Sequence, residues 1–469
     1  MRCIAGREWG ADRRTLLRLY TSLIRPILDY NGFLYDDIAT KKIDSLQVIQ
    51  NTALRIITGA MKTSNIDNLH IDVNIPTLDR RRKYLLLRFY LRCCANPSNP
   101  SNQILTNRYS SSPPSDPERR FPVISYRVEK ALNHFNISFP SILPIPPLTS
   151  FWLAPIQNVD RLFSENKKHI SSQEISQLFI QYVNQYNDHT FFYTDGSLSN
   201  GKTGAGVTSK VYENSIRLHN LFTVFSAELS AILLAIIYIN KQHIQKSVIC
   251  TDSASAVSAI SSRKKEDNHI IYIIKKHIIT IQKQGFEFRL LWIPGHAGIP
   301  GNTRADLLAK NSLDKPERNT LRCPHKDIAN HIQNALLDLR QFDWNSFPNQ
   351  HLHPIHPKIK SFASSNQSNR LRETVLARLR IGHTSITHRY IYQHEPPPTC
   401  PHCTPLTRLN IAHLLLNCPH YDQYRQPIIH YTNTHNLSLD LPTLLGDDHP
   451  DLIELLFTFL SDSNLINSI

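Results

Sequence analysis

The 469-residue sequence has no long apolar run, and no apolar stretch follows its first residues. The start, Met1 to Trp9, lacks the hydrophobic segment of a secretory signal. The most apolar run, Ala231 to Ile239, is too short to cross a bilayer. These absences lead us to expect an intracellular protein, cytoplasmic or nuclear, with no membrane partner. Cysteine is sparse, and eight in this length make no disulfide framework. Acid is short of base, 38 Asp+Glu against 52 Lys+Arg, which leaves a formal charge of +14. A surplus of that sign suits a polyanionic partner, most commonly nucleic acid. No internal repeat is visible. What is present is 41% hydrophobic residues, enough for real cores, in a length that suggests about three domains. Oligomeric state is left open.

Residues 1–95 read as helical. Asp12 is placed to cap a helix carrying Leu16, Leu17, Tyr20, Leu23 and Ile24, which Pro26 should kink or end. A second helix is expected from about Lys41 to Ile57, with Gly59 as its stop, and a third from near Thr77. The third carries Arg80, Arg81 and Arg82, which suit either phosphate contact or a solvated face. Residues 96–185 are rich in Pro and Ser and read as linker. Residues 186–315 read as an α/β domain in the order β-β-β-α-β-α-α-β-α, a mixed five-stranded sheet with flanking helices. Residues 316–469 read as a helical tail.

Within 186–315, four carboxylates occupy different elements. Asp195 follows a strand-like run, Glu228 opens an otherwise apolar helix, Asp252 follows an apolar strand, and Asp306 sits on the last helix. Each alone has a bland reading as a turn residue, helix cap or surface charge. Together they suit phosphodiester hydrolysis by two Mg²⁺ ions roughly 4 Å apart, because Mg²⁺ takes oxygen ligands that converge from separate elements. A loop with Gly295, Gly298 and Gly301 leads into the last helix and carries His296, a candidate proton shuttle or product-release group.

Thr194-Asp195-Gly196-Ser197, Ala227-Glu228-Leu229, Thr251-Asp252-Ser253 and the run from Gly295 and His296 to Asn302, with Ala305-Asp306, resemble the ribonuclease H family. The type resembled closes the polyproteins of non-LTR retrotransposons of the Jockey kind. That resemblance implies Mg²⁺-dependent cleavage of the RNA strand of RNA–DNA hybrids, with Mn²⁺ able to substitute. It implies Asp195, Glu228, Asp252 and Asp306 as metal-binding catalytic residues and His296 as the flexible-loop histidine. Thr303 stands where many relatives have Glu, which bears on loop or substrate detail. Ser197 and Asn302 are candidate substrate contacts, since hybrid recognition rests on 2′-hydroxyls and phosphates. Arg263, Lys264 and Lys265 read as a solvated loop or a backbone contact.

The flanks extend the resemblance. Residues 1–95 look like the thumb and connection that follow a reverse transcriptase palm. Tyr35-Asp36-Asp37 mimics a polymerase aspartate pair, but only a helix precedes it, so no polymerase is expected. In the tail, Cys400, Cys403, His413 and Cys418 supply three thiolates and an imidazole that suit tetrahedral Zn²⁺, as a structural or nucleic-acid-gripping site. His402 and His420 lie close by, so the histidine ligand stays open at this point. Arg380 to Thr384, Thr387-His388 and this cluster together resemble the C-terminal segment of the same elements. The expected whole is a polyprotein C-terminal part that cleaves hybrids; the alternative is a nucleic-acid-binding remnant without cleavage.

Overall fold

The computed structural model describes residues 1–34, 40–106, 124–138, 141–146, 156, 158–163, 171–264, 268–317, 322–403 and 407–469. Tyr35, Asp36, Asp37, Lys265 and the 110–115 Ser/Pro run lie outside them. Among the described residues two compact units form, one within 1–86 and 334–469, the other within 87–106 and 124–333.

The second unit is built on a six-stranded sheet in the order β1-β6-β5-β2-β3-β4. The strands are β1 (Val159–Arg161), β2 (Thr190–Ser199), β3 (Lys202–Ser209), β4 (Glu213–Leu218), β5 (Lys246–Thr251) and β6 (Glu287–Trp292). The pairs β2–β3 and β3–β4 are antiparallel, and β2–β5, β5–β6 and β6–β1 parallel. The mixed α/β architecture is the expected one, with the five expected strands and one more at the edge. β1 is three residues long, too short for any periodicity to show. It pairs through its backbone, and Asp160 secures it by accepting from Arg289 Nη1 at 2.9 Å and Tyr182 Oη at 2.5 Å.

Residues 96–185, expected as linker, also hold helices Pro100–Thr106, Ile124–His134 and Ser172–Gln185. The last starts with a reciprocal capping box between Ser171 and Glu174. Its Phe179 is buried with Val248, Cys250, Leu291, Ile293 and Ile299, so this segment completes the core of the sheet domain. Helix Val224–Lys241 is long and apolar enough by composition to cross a membrane. Here Leu229, Ile232, Ile236 and Ile239 are wholly buried, which makes it the domain's core helix.

The first unit joins both ends of the chain, where the sequence reading kept 1–95 and 316–469 apart. Leu16, Tyr20, Leu54 and Ile57 share one core with Ala377 and Ile381. Arg370 donates to the carbonyls of Ile56 and Ile57 at 2.6 and 2.8 Å, and Asn68 Nδ2 to that of Ile381 at 3.1 Å. Asp12 caps its helix by accepting from Thr15 N, and Gly59 ends Thr40–Thr58 at φ +67°. Pro26 neither kinks nor stops the first helix outright: a π-turn at Tyr20–Ile24 precedes it, and Pro26 enters the first turn of Arg25–Asp29, where its missing N–H costs little. The basic cluster on Leu78–Cys94 is consumed internally. Arg80 pairs with Asp343, Arg81 with Asp29 at 2.9 Å, and Arg82 is buried.

Candidate functional site

Asp195 stands within β2, where the sequence reading put it at the strand's end. Parallel pairing with β5 stops at Thr194 opposite Thr251, while antiparallel pairing with β3 continues to Ser199. Asp195 is therefore the first residue of β2 beyond β5, and Asp252 is the first residue after β5 itself. Both carboxylates thus sit where the parallel pairing of β2 with β5 ends. Glu228 lies one turn inside Val224–Lys241, whose cap is Thr223, and Ser253 caps the helix that follows Asp252. Neither carboxylate is spent as a cap.

Two glycines permit the convergence. A Cβ on Gly196 would lie 2.5 Å from Glu228 N, so its absence lets β2 press against the helix that carries Glu228. Gly206 is the partner of Asp195 across the sheet and shares its face. A Cβ there would meet Ala309 N at 2.5 Å and Ala305 O at 2.7 Å. Helix Pro300–Asn311 thus lies close on the strand and brings Asp306 into hydrogen-bonding reach of Asp195.

Oxygens of Asp195, Glu228 and Asp252 lie within 4.8 Å of one another. Asp195 and Glu228 are buried, and burial pushes both carboxyls well above the ordinary range. Asp252 raises both further, and Asp306 adds to the effect at Asp195. Glu228 Oε2 is buried without a hydrogen-bond partner among the described residues. Crowded hard oxygens, mutual repulsion and an orphaned acceptor together fit a divalent cation of the Mg²⁺ or Mn²⁺ type. Lys310 Nζ donates to Asp306 Oδ2 at 2.7 Å, a neighbour that the i,i+4 spacing could have disclosed. Trp292 Nε1 donates to the Asp252 carbonyl at 3.0 Å, and nothing in the sequence signals that contact.

The other candidates divide. Asn302, expected as a substrate contact, is buried and donates to Asp252 Oδ2 at 3.2 Å. Ser197 is half-buried on β2 opposite Gly204. His296 is exposed, at φ +54°, on the turn between β6 and Pro300–Asn311. Its neighbour Gly295 abuts Asp252, since a Cβ there would lie 3.0 Å from Oδ2. Thr303 is exposed and bonds back to the Ile299 carbonyl. Arg263 and Lys264 are exposed.

The first unit holds the second cluster. Atoms of Cys400, Cys403, His413 and Cys418 all lie within 4.8 Å of one another. Sγ separations are 3.7 Å for Cys400–Cys418 and 3.9 Å for Cys403–Cys418, with His413 Nε2 3.5 Å from Cys403 Sγ. Zn–S bonds of about 2.3 Å in a tetrahedron give S–S edges of about 3.8 Å, so the donor set fits Zn²⁺. His402 and His420 stack on each other at 3.6 Å, outside the cluster, which leaves His413 as its imidazole.

Residues 187–314 match the ribonuclease H family, and with this sheet and these carboxylates they form a ribonuclease H domain. Among curated proteins the chain is similar to Ribonuclease H1 of Mus musculus, 30% identical over 145 residues, 27% of this chain. The chain spans 50% of the length of that relative.

Proposed function

We propose that the protein hydrolyses the RNA strand of RNA–DNA hybrids at the carboxylate cluster. The observation that carries this reading is the convergence of Asp195, Glu228 and Asp252, with Asp306 beside them, inside a domain of the ribonuclease H family. Asp195, Glu228, Asp252 and Asp306 would hold two divalent cations, Mg²⁺ or Mn²⁺. When bound, the ions supply an activated water and charge stabilisation at the leaving 3′-oxygen. The chain's own part is positional. Asn302 and Trp292 hold Asp252, the close helix packing over Gly196 and Gly206 sets the carboxylate spacing, and Lys310 partners Asp306. His296, on its exposed turn, is free to carry a proton to or from the product. In the same reading the tail cluster holds a structural Zn²⁺, and the chain derives from a non-LTR retrotransposon polyprotein with a thumb-like N-terminal segment. That origin rests on the sequence resemblance.

The test is cleavage of a labelled RNA–DNA hybrid by the full chain with Mg²⁺, beside Asp195→Asn. The expected result is RNA-strand cleavage that the variant loses by several orders of magnitude. No cleavage by the unaltered chain sinks the proposal, and equal cleavage by the variant moves the chemistry elsewhere.

A further inference from the structure

The unit that carries the zinc-type cluster also contains a cavity of about 600 Å³, remote in sequence from the carboxylates. Its walls carry Arg80 and Arg340, the carboxylates Asp67, Asp79 and Asp343, and the rings of Trp344 and Phe347. The volume lies in the range of small-molecule sites, about 300–1,000 Å³. Arg340 is only 5% exposed, and its Nη1 donates to Asn74 Oδ1 at 3.1 Å. Its Nη2 is buried with no hydrogen-bond partner among the described residues. Arg80, on the same wall, is already paired with Asp343, and Asp79 with Lys83. Asp67, exposed, is the third carboxylate of the lining, and Arg340 Nη2 pairs with none of the three. Desolvation, and after it the Arg80 guanidinium, together lower the Arg340 pKa to about 10. A buried cation is costly unless an anion meets it.

We propose that this cavity binds the phosphate of a nucleotide. The phosphate lies at the Arg340 guanidinium, whose fork matches phosphate oxygens two at a time. The apolar wall of Ile75 and Trp344 suits the base or sugar. Phe347, 54% exposed, offers a ring face on which a base can stack. His70 is not available as a second cation. Its Nδ1 faces the Ile75 carbonyl at 2.7 Å, and burial holds its pKa down, so it stays neutral. One buried cation in a partly apolar cavity fits a single phosphate group on an organic body better than a polyphosphate. The choice of nucleotide over other phosphate esters rests on the proposed nuclease function, whose products carry phosphate ends. Two sources share this chemistry: a free mononucleotide and the 5′-phosphate end of a strand.

The experiment uses the full chain in magnesium-free buffer, so that cleavage plays no part. Binding of a fluorescent single-stranded RNA with a 5′-phosphate is compared with the same strand ending in 5′-hydroxyl, and adenosine monophosphate is added as competitor. The expected result is a 5′-phosphate preference of about tenfold or more, in line with the worth of charge-assisted hydrogen bonds. It should be lost in Arg340→Met and weakened in Phe347→Ala, whose exposed ring can be removed without unfolding the chain. Direct binding of adenosine monophosphate with the same variant dependence, but no strand preference, also supports the site and assigns the free nucleotide as its source. Equal binding of both strand ends together with no binding of adenosine monophosphate overturns the proposal. So does binding that neither variant changes. Hybrid cleavage measured separately with Mg²⁺ should be unaltered in Phe347→Ala, so failure of either reading is recognised on its own.

Discussion

Asn302 Nδ2 donates to Asp252 Oδ2 at 3.2 Å, while its own Oδ1 is buried without a partner among the described residues. The side chain therefore acts on a carboxylate. Asn302→Ala should lower hybrid cleavage about tenfold, with little loss of hybrid affinity, and raise the Mg²⁺ concentration needed for half-maximal rate. Asn302→Asp should be worse, because it adds a like charge to a crowded site. Rates measured across a Mg²⁺ titration check this; an unchanged Mg²⁺ requirement with weakened hybrid binding would restore Asn302 as a substrate contact.

Gly206→Val places a side chain where Ala305 O and Ala309 N already lie within 2.7 Å. Overpacking of this kind costs about 1–3 kcal/mol, and here it also pushes Asp306 away from Asp195. The variant should lose most cleavage and melt several degrees lower. Gly201→Val, in the turn between β2 and β3 with open space around it, is the control for a glycine-to-valine change without overpacking, although its φ of +70° makes some strain unavoidable. Cleavage by Gly201→Val should stay close to that of the unaltered chain.

Metal and pH are coupled at the carboxylates. Asp195 and Glu228 are both held above their unfolded values, so without metal their protonated forms favour the folded domain. That contribution is complete below the ordinary carboxylate range and is lost as pH rises through the raised values. In magnesium-free buffer the domain should therefore lose stability between about pH 5 and about pH 9. Added Mg²⁺ should raise the melting temperature, most strongly at the alkaline end. Melts over this range with and without Mg²⁺ test the sign; a Mg²⁺ effect that shrinks with rising pH contradicts it.

Zinc removal should act on the other unit. Cys400 and Cys418 are buried in a core with Leu414, Leu415, Tyr421 and Phe459. Purified protein should hold one zinc per chain by elemental analysis. Cys418→Ser should abolish it and expose residues 334–469 to proteolysis. Full zinc occupancy in that variant would remove Cys418 from the ligand set.

Arg370 ties the two chain ends together. Its side chain is 2% exposed, pairs with Glu373 at 3.2 Å and caps the carbonyls of Ile56 and Ile57. Arg370→Met leaves Glu373 buried without its guanidinium and should cost about 3–5 kcal/mol. Deletion of residues 1–86 should likewise leave 334–469 susceptible to proteolysis. A deleted chain with a protease-resistant tail would show that the tail folds alone.

Much of the site was legible because its chemistry is carried by residue type and local setting. Four carboxylates in distinct elements, a glycine-rich turn and a Cys/His spacing are one-dimensional patterns, and so are the cap at Asp12 and the stop at Gly59. They follow from helix ends that need acceptors, from backbone that needs a positive φ and from the metals' choice of donors. What only the tertiary structure decided depends on groups distant in sequence. Asn302 faces Asp252 instead of solvent because Pro300–Asn311 packs on β3 at Gly206. Arg80 and Arg81 are spent on Asp343 and Asp29, although their sequence read equally well as a phosphate contact. The three residues of β1 join a sheet through backbone pairing that no side-chain pattern announces. Residues 1–86 and 334–469 share a core because each presents an apolar face too large to leave in water, and a sequence shows that such a face exists without showing what covers it.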